Sequence, residues 1–346
     1  MTNVPVLTMP PLSERQVRLK PLAVIVGPTA VGKSRIAVEV AKRFETEILT
    51  ADSRQVYRGM DIGTDKPPIE SWQGIPHRLI DLVNPDESFN AGLFRRHALD
   101  AIEQLYQRRR LPLVVGGTGL YVRTLLQGLC AAPPADPTVR AQLRNAAREE
   151  GHDRFYARLV AVDPVSAAKL HPRDTSKVIR ALEVHHLSGR PLSEFQERHG
   201  FADRPFSALV IGLNRYRDSL YRRIEERIDW QLGNGLVRET QRLLDQGYRR
   251  DSAAMKGLGY RHVAALVAGE YSHAEMVRRF KRDTKRFAKR QITWFRREPG
   301  ITWLMVEESE PVQETVARVI RQIDQFLAAL DGANAGNGFA EDKAGL

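Results

Sequence analysis

The chain has 346 residues, of which 42% are hydrophobic and 27% charged, a composition that excludes a wholly disordered protein and is long enough for about two ordinary domains. No stretch approaches the roughly 18 uninterrupted apolar residues of a membrane span, and residues 1–20 lack the apolar block of a signal peptide, so a cytoplasmic protein is expected. The formal charge of +11 is confined: the segment from Arg173 to Glu298 holds 27 of the 53 basic residues but 16 of the 42 acidic ones, leaving 26 of each sign elsewhere. A segmental excess of that size points to a polyanionic partner rather than to general solubility. Cys130 is the single cysteine, which excludes an internal disulfide and a cysteine-based zinc site; a bound metal would take oxygen ligands.

Residues 1–20 read as a loose leader. The first element is Leu22-Ala23-Val24-Ile25-Val26, a continuous apolar run of the kind buried on both faces of a parallel sheet. Gly27-Pro28-Thr29-Ala30-Val31-Gly32-Lys33-Ser34 follows at once and fits GxxxxGK[ST]. Ile36, Ala37, Val40, Ala41 and Phe44 then mark one helical face. A glycine-rich loop between a buried strand and a helix brings backbone N–H groups and a helix N-terminus to phosphate oxygens. Lys33 would reach the terminal phosphate, and Ser34 would offer its hydroxyl to Mg²⁺. The motif specifies a di- or triphosphate, and analogy of fold alone would make it ATP.

A second strand, Ile48-Leu49-Thr50, ends at Ala51-Asp52. Strands of a parallel sheet end on one side, so Asp52 falls beside the phosphate loop, where ligands collect. By position alone it could serve as a helix cap, a Mg²⁺ support or a base. The polar, glycine-containing run from Asp52 to Pro67 buries little and is better explained by a ligand than by packing. Leu79-Ile80, Leu113-Val114-Val115 and Leu209-Val210-Ile211 are further strands. The last two are too far apart for one crossover. Residues 133–205, with Leu143, Phe155, Leu159, Leu170, Ile179, Leu182 and Leu187 as apolar positions, read as an inserted helical subdomain. Residues 21–132 and 206–330 form the core, which after Ile211 continues as helices, and 331–346 a disordered tail. The fold class is α/β, a P-loop NTPase-like parallel sheet with helices on both faces.

Arg278 to Arg297 carries ten Lys/Arg and one acid, Asp283. Phe280, Thr284, Phe287, Gln291 and Trp294 recur at helical spacing, so one face packs and the flanks stay basic.

The phosphate loop, the DSRQVYRGMDIGTDKP run, Pro76–Asp81, Gly116–Tyr121, His171–Asp174, Arg180–Val184, Gly257–Arg261 and Ala288–Phe295 resemble, in order and spacing, the motifs of bacterial tRNA dimethylallyltransferases, also called tRNA isopentenyltransferases. The resemblance runs from about Leu22 to Leu304. Where that family usually has Ala, Asn and Arg, this chain has Asp65, Arg173 and Lys177. The resemblance implies transfer of a dimethylallyl group from its diphosphate to N6 of an adenosine beside the tRNA anticodon, with Mg²⁺ at the leaving diphosphate; a monomer is expected. It makes Asp52 the general base and Arg227 the catalytic arginine. It assigns tRNA contacts to Asp52, Ser53, Arg54, Gln55, Thr118, Arg140, Ser176, Lys177, Val178, Ile179, Arg180, Lys256, Gly257, Leu258, Gly259, Tyr260 and Arg261. Two other classes share the phosphate loop: a small-molecule or nucleotide kinase, and an ATP-regulated RNA-binding module. The first leaves the confined charge unexplained, and the second leaves Asp52 and its loop without a role.

Overall fold

The computed structural model describes residues 20–200 and 203–338. In chain order the elements are β1 (Lys20–Val26), α1 (Lys33–Arg43), β2 (Ile48–Ala51), β3 (His77–Arg78), α2 (Ala91–Gln107), β4 (Leu113–Gly116), α3 (Gly119–Gln127), α4 (Pro137–Glu150), α5 (His152–Val162), α6 (Pro164–Ala167), α7 (Thr175–Ser188), α8 (Leu192–His199), β5 (Phe206–Asn214), α9 (Arg217–Gly233), α10 (Leu236–Asp245), α11 (Leu258–Val267), α12 (His273–Arg296), β6 (Ile301–Met305) and α13 (Val312–Gly338). They form two compact units. One comprises residues up to Phe89, Asp100–Gly119 and Pro205 onward; the other comprises Asn90–Leu99 and Leu120–Arg204.

The first unit is built on a six-stranded sheet in the order β3-β2-β4-β1-β5-β6 with every pairing parallel, an α/β fold of the P-loop NTPase-like kind. Leu22 to Val26 are almost wholly buried, as an unbroken apolar strand requires when helices cover both faces. The register levels the carboxyl ends: Gly116 of β4 pairs with Val26 of β1 and with Ala51 of β2. The residues that follow these strands, Gly27, Asp52 and Gly117, therefore leave the sheet side by side. A side chain at Gly27 would place a Cβ 2.5 Å from the Leu213 carbonyl oxygen, and its φ of +151° favours glycine, so the loop can turn there only without one.

Several expectations shift. The third strand is His77–Arg78 rather than Leu79-Ile80, because Leu79 adopts a left-handed φ of 66° and ends the extended run. The chain after Ile211 is not all helical: Ile301–Met305 adds β6 beside β5, an apolar run that follows the Pro299-Gly300 break. The stretch from 331 stays in α13 through Gly338, while residues 339–346 and the first nineteen of the leader lie outside the described residues. The packed face of α12 is Met276, Phe280, Thr284, Ala288, Gln291 and Phe295, and Phe287 is exposed, because a 3.6-residue period drifts away from it.

The second unit is helical and extends beyond residues 133–205. Phe94 of α2 stacks on Tyr121 of α3, and Arg95 donates to the Thr124 carbonyl and pairs with Asp203, which draws the segments around 90–99 and 120–132 into it. Its core joins Leu143, Phe155, Leu159, Val178, Ile179 and Leu182, with Leu170 packed at its edge. Leu187 is exposed rather than part of that core. Asp136 caps α4 by accepting from the Thr138 and Val139 amides, and Pro137 occupies the first turn, where a missing N–H costs nothing.

Candidate active site

A cavity of about 550 Å³ opens at the carboxyl ends of β1, β2 and β4, where an open parallel sheet collects its ligands. Its walls include Thr29, Gly32, Lys33 and Ser34 of the phosphate loop, Asp52 and Gln55 after β2, Asp65, and Arg223 and Arg227 from α9. The phosphate loop and the base expected at Asp52 thus share one cavity with Arg227, almost two hundred residues further along.

The loop is held from outside itself. Gln291 of α12 accepts from the Thr29 amide and donates to the Gly117 carbonyl, both at 2.9 Å, tying the phosphate loop to the turn after β4. Arg223 donates to the Ala30 carbonyl and Arg215 to that of Val31, each at 3.0 Å. Gly27, Pro28 and Val31 are buried, and Lys33 donates to the Gly27 and Pro28 carbonyls. Burial pushes the Lys33 ammonium down to about 8; Asp52 and Asp65 pull it up and Arg227 pushes it further down.

One oxygen of Asp52 is fixed and the other is open. Oδ1 accepts from the Arg54 amide at 2.7 Å, while Oδ2 has no hydrogen-bond partner among the described residues. Thr118 acts as a brace: its hydroxyl accepts from the Ser53 amide at 3.0 Å and its own amide donates to the Ala51 carbonyl. Arg54 reaches the Ala253 carbonyl, and Gln55 is buried, its amide group donating to the Thr64 and Asp65 carbonyls.

The polar run after Asp52 is clamped by a residue that the sequence did not single out. Glu239 of α10, itself buried, accepts from the amides of Asp61, Ile62 and Gly63, 176 to 178 residues away, and from the Tyr260 hydroxyl at 2.6 Å. Gly63 passes so close to the Tyr260 ring that a Cβ would lie 2.5 Å from it, which accounts for the glycine. The stretch Lys256 to Arg261 therefore divides. Lys256 and Arg261 are exposed, although Arg261 pairs with Asp283 at 2.9 Å. Gly257, Gly259 and Tyr260 are buried and Leu258 is half-buried, and the Tyr260 hydroxyl is engaged by Glu239 beneath the polar loop that follows β2.

Arg227 acquires an acidic partner that no local spacing reveals: its Nη1 donates to Asp65 Oδ2 at 2.9 Å.

In the helical unit, Arg140 and Arg180 converge on Glu183, which is fully buried and also accepts from the Asp136 amide. Burial alone would raise the Glu183 carboxyl, but the hydrogen bonds from Arg180, Arg140 and that amide outweigh it and hold it below its ordinary value. Ser176 and Lys177 are exposed, whereas Val178 and Ile179 are core residues whose side chains pack inward.

The site defines a class: a phosphate loop facing a carboxylate and an arginine at the mouth of a P-loop sheet, with a separate helical unit. The model of the family described as IPP transferase matches residues 55–298. A tRNA dimethylallyltransferase from Geobacter metallireducens is 50% identical over 283 residues, 82% of this chain and 92% of that protein. One from Thermomicrobium roseum is 46% identical over 88% of this chain and 92% of its own length. The crystal structure of the full-length tRNA isopentenylpyrophosphate transferase from Bacillus halodurans superposes with a TM-score of 0.69 at 36% identity, over 91% of this chain and 99% of that one. A eukaryotic dimethylallyltransferase acting on tRNA superposes at 0.74 with 27% identity, over 86% and 78% of the two chains. The chain belongs to the IPP transferase family.

Among the described residues, no helix is long and apolar enough to cross a membrane and no group of three or more His, Cys, Asp or Glu converges as a metal site.

Proposed function

We infer that this protein is a tRNA dimethylallyltransferase of the cytoplasm, transferring the five-carbon group of dimethylallyl diphosphate to N6 of an adenosine next to the anticodon. The observation that carries the reading is the open Oδ2 of Asp52, in the same cavity as Lys33, Ser34 and Arg227. The exocyclic amine is a weak nucleophile whose attack leaves a proton to be taken up. As the N6–C1 bond forms, the C1–O bond breaks with its electron pair going to the diphosphate, and the N6 proton passes to Asp52 Oδ2. The phosphate-loop amides, Lys33 and Arg227 meet the charge that develops on the leaving group.

The donor set fits Mg²⁺. Magnesium is held by one or two protein oxygens plus substrate phosphates rather than by an all-protein cage, and Ser34 and Asp52 border one cavity. Ser34 would hold the ion with the phosphates, and the ion would supply charge neutralisation at the leaving group.

A stacked adenine cannot present N6 to the cavity, so the base leaves its stack, paired with a grip on the flanking RNA. The exposed residues Ser176 and Lys177 of the helical unit, and Lys256 and Arg261 of the sheet unit, are the candidates for that grip, as are Lys289 and Arg290 on the basic helix α12. Incubating the protein with unmodified tRNA, dimethylallyl diphosphate and Mg²⁺, followed by nucleoside mass measurement, is expected to give prenylated adenosine. Its absence overturns the reading, and γ-phosphate transfer from ATP would favour the kinase alternative.

A further inference from the structure

Asp65 places a carboxylate in the wall of a cavity that must receive a diphosphate, and the transfer scheme gives it no task. Its surroundings do. The Arg227 guanidinium donates Nη1 to Asp65 Oδ2 at 2.9 Å, while its Nε is buried with no hydrogen-bond partner among the described residues. Arg227 has only 19% of its side chain exposed, whereas Asp65 keeps 46%, so the carboxylate is the more solvated partner of the pair.

The Asp65 backbone is fixed on all sides. Its φ is +57°, its amide donates to the Ile62 carbonyl at 3.1 Å, and its carbonyl accepts from Gln55. Glu239 holds the amides of Asp61, Ile62 and Gly63, and Lys66 just after Asp65 pairs with Asp61 and Asp81. The loop thus delivers the carboxylate to one place, and only the side-chain torsions remain free to move it.

With no anion in the cavity, the Lys33 ammonium and the Arg227 guanidinium repel each other. A nearby carboxylate relieves that repulsion. A diphosphate would offer the same guanidinium more oxygens and more charge, and would repel Asp65 in turn.

We propose that Asp65 is a resident counter-anion for Arg227: it holds the guanidinium in place before diphosphate binds and exchanges with the diphosphate, so that substrate entry and product release each swap one anion for another on one arginine. Asp65 is a positioning residue, and the proposal rests on the functional reading above. Its consequence is that diphosphate binds less tightly than the cationic wall would allow, which favours release of the product.

The test is direct binding of inorganic pyrophosphate with Mg²⁺, by calorimetry at fixed ionic strength, to the full chain and to its D65N, D65A, R227Q and D65N/R227Q variants. D65N and D65A should each tighten pyrophosphate about tenfold. In the R227Q background the gain from D65N should fall to twofold or less, because there is no guanidinium left to release. In turnover, D65N should lower KM for dimethylallyl diphosphate more than it changes kcat. Weaker binding by D65N and D65A, or an equal gain with and without Arg227, overturns the proposal. Pyrophosphate binding requires no prenyl transfer, so a protein that failed to prenylate tRNA would still report on the exchange.

Discussion

Two arginine–carboxylate clusters, one in each unit, show how burial decides what an ion pair is for. In the sheet unit Arg227 meets Asp65, a carboxylate almost half exposed at the edge of the cavity. In the helical unit Arg140 and Arg180 meet Glu183, which has no exposure at all and also takes the amide at the cap of α4. Removing one partner of a buried pair leaves an uncompensated charge, whereas a solvated carboxylate can rotate away at little cost. The first cluster can exchange its anion for a substrate; the second is a structural joint in which one carboxylate orients two arginines and offsets half of their charge.

The largest expected effect separates the two. Glu183→Ala should destabilise the helical unit by about 3–5 kcal/mol, read as a lower denaturant midpoint, while Asp65→Ala should change stability by less than about 1 kcal/mol. The Glu183 contribution should also vanish in acid: its carboxyl is depressed in the folded chain, so the stabilisation is present above the ordinary carboxylate range and lost as pH falls through the lower folded value. Equal losses from the two variants would erase the distinction.

Next in size is the pH dependence of diphosphate use. Lys33 sits at about 8 in the folded protein against its ordinary 10.5, so it is charged below pH 8 and neutral above. KM for dimethylallyl diphosphate should be level below pH 8 and rise by up to tenfold per pH unit above it, a rise that Lys33→Ala abolishes. The same depression means that the unfolded chain binds more protons between about pH 8 and 10.5, so the Lys33 contribution to stability grows with pH across that window.

The smallest effect concerns the basic helix, where paired and unpaired cations can be compared directly. Lys281 pairs with Asp229, Lys285 with Glu225, and Arg282 and Arg286 with Asp283, whereas no ion pair forms at Lys289 or Arg290 among the described residues. Neutralising Lys289 and Arg290 should reduce the slope of log affinity for tRNA against log salt by about 0.7–0.9 for each phosphate that is no longer neutralised. Neutralising Lys281 and Lys285 should reduce it less, and the reverse order would move the RNA-facing side of α12.

What could be read without the structure was local. The strand, phosphate loop and helix from Leu22 to Phe44 announce themselves within some twenty residues, and Asp52 follows from parallel-strand geometry. The clamps were not legible because each joins positions far apart: Gln291 reaches Thr29 across 262 residues, Arg227 reaches Asp65 across 162, and Glu239 reaches Asp61 across 178. Arg227 and Glu239 read locally as ordinary polar positions on a helix and Gln291 as one position of a packing face, and no local spacing names the partner of any of them. The sequence signals were indirect: a glycine at 63, and an acidic residue, Asp65, where the resembling family usually has Ala. Even stretches chosen as ligand contacts divided once packing was known, since Val178, Ile179 and Tyr260 look inward while Ser176, Lys177, Lys256 and Arg261 do not.

The central claim is that Asp52 takes the proton from N6 in the cavity that binds the diphosphate. Asp52→Asn keeps the shape of the side chain and an acceptor for the Arg54 amide but removes the base, so single-turnover prenylation of tRNA by this variant is the most direct test. The rate should fall by about 10²–10⁴-fold with tRNA affinity, measured on the same preparation, unchanged within about threefold. A rate close to that of the unaltered protein, or a fall in rate matched by an equal fall in tRNA affinity, would contradict it.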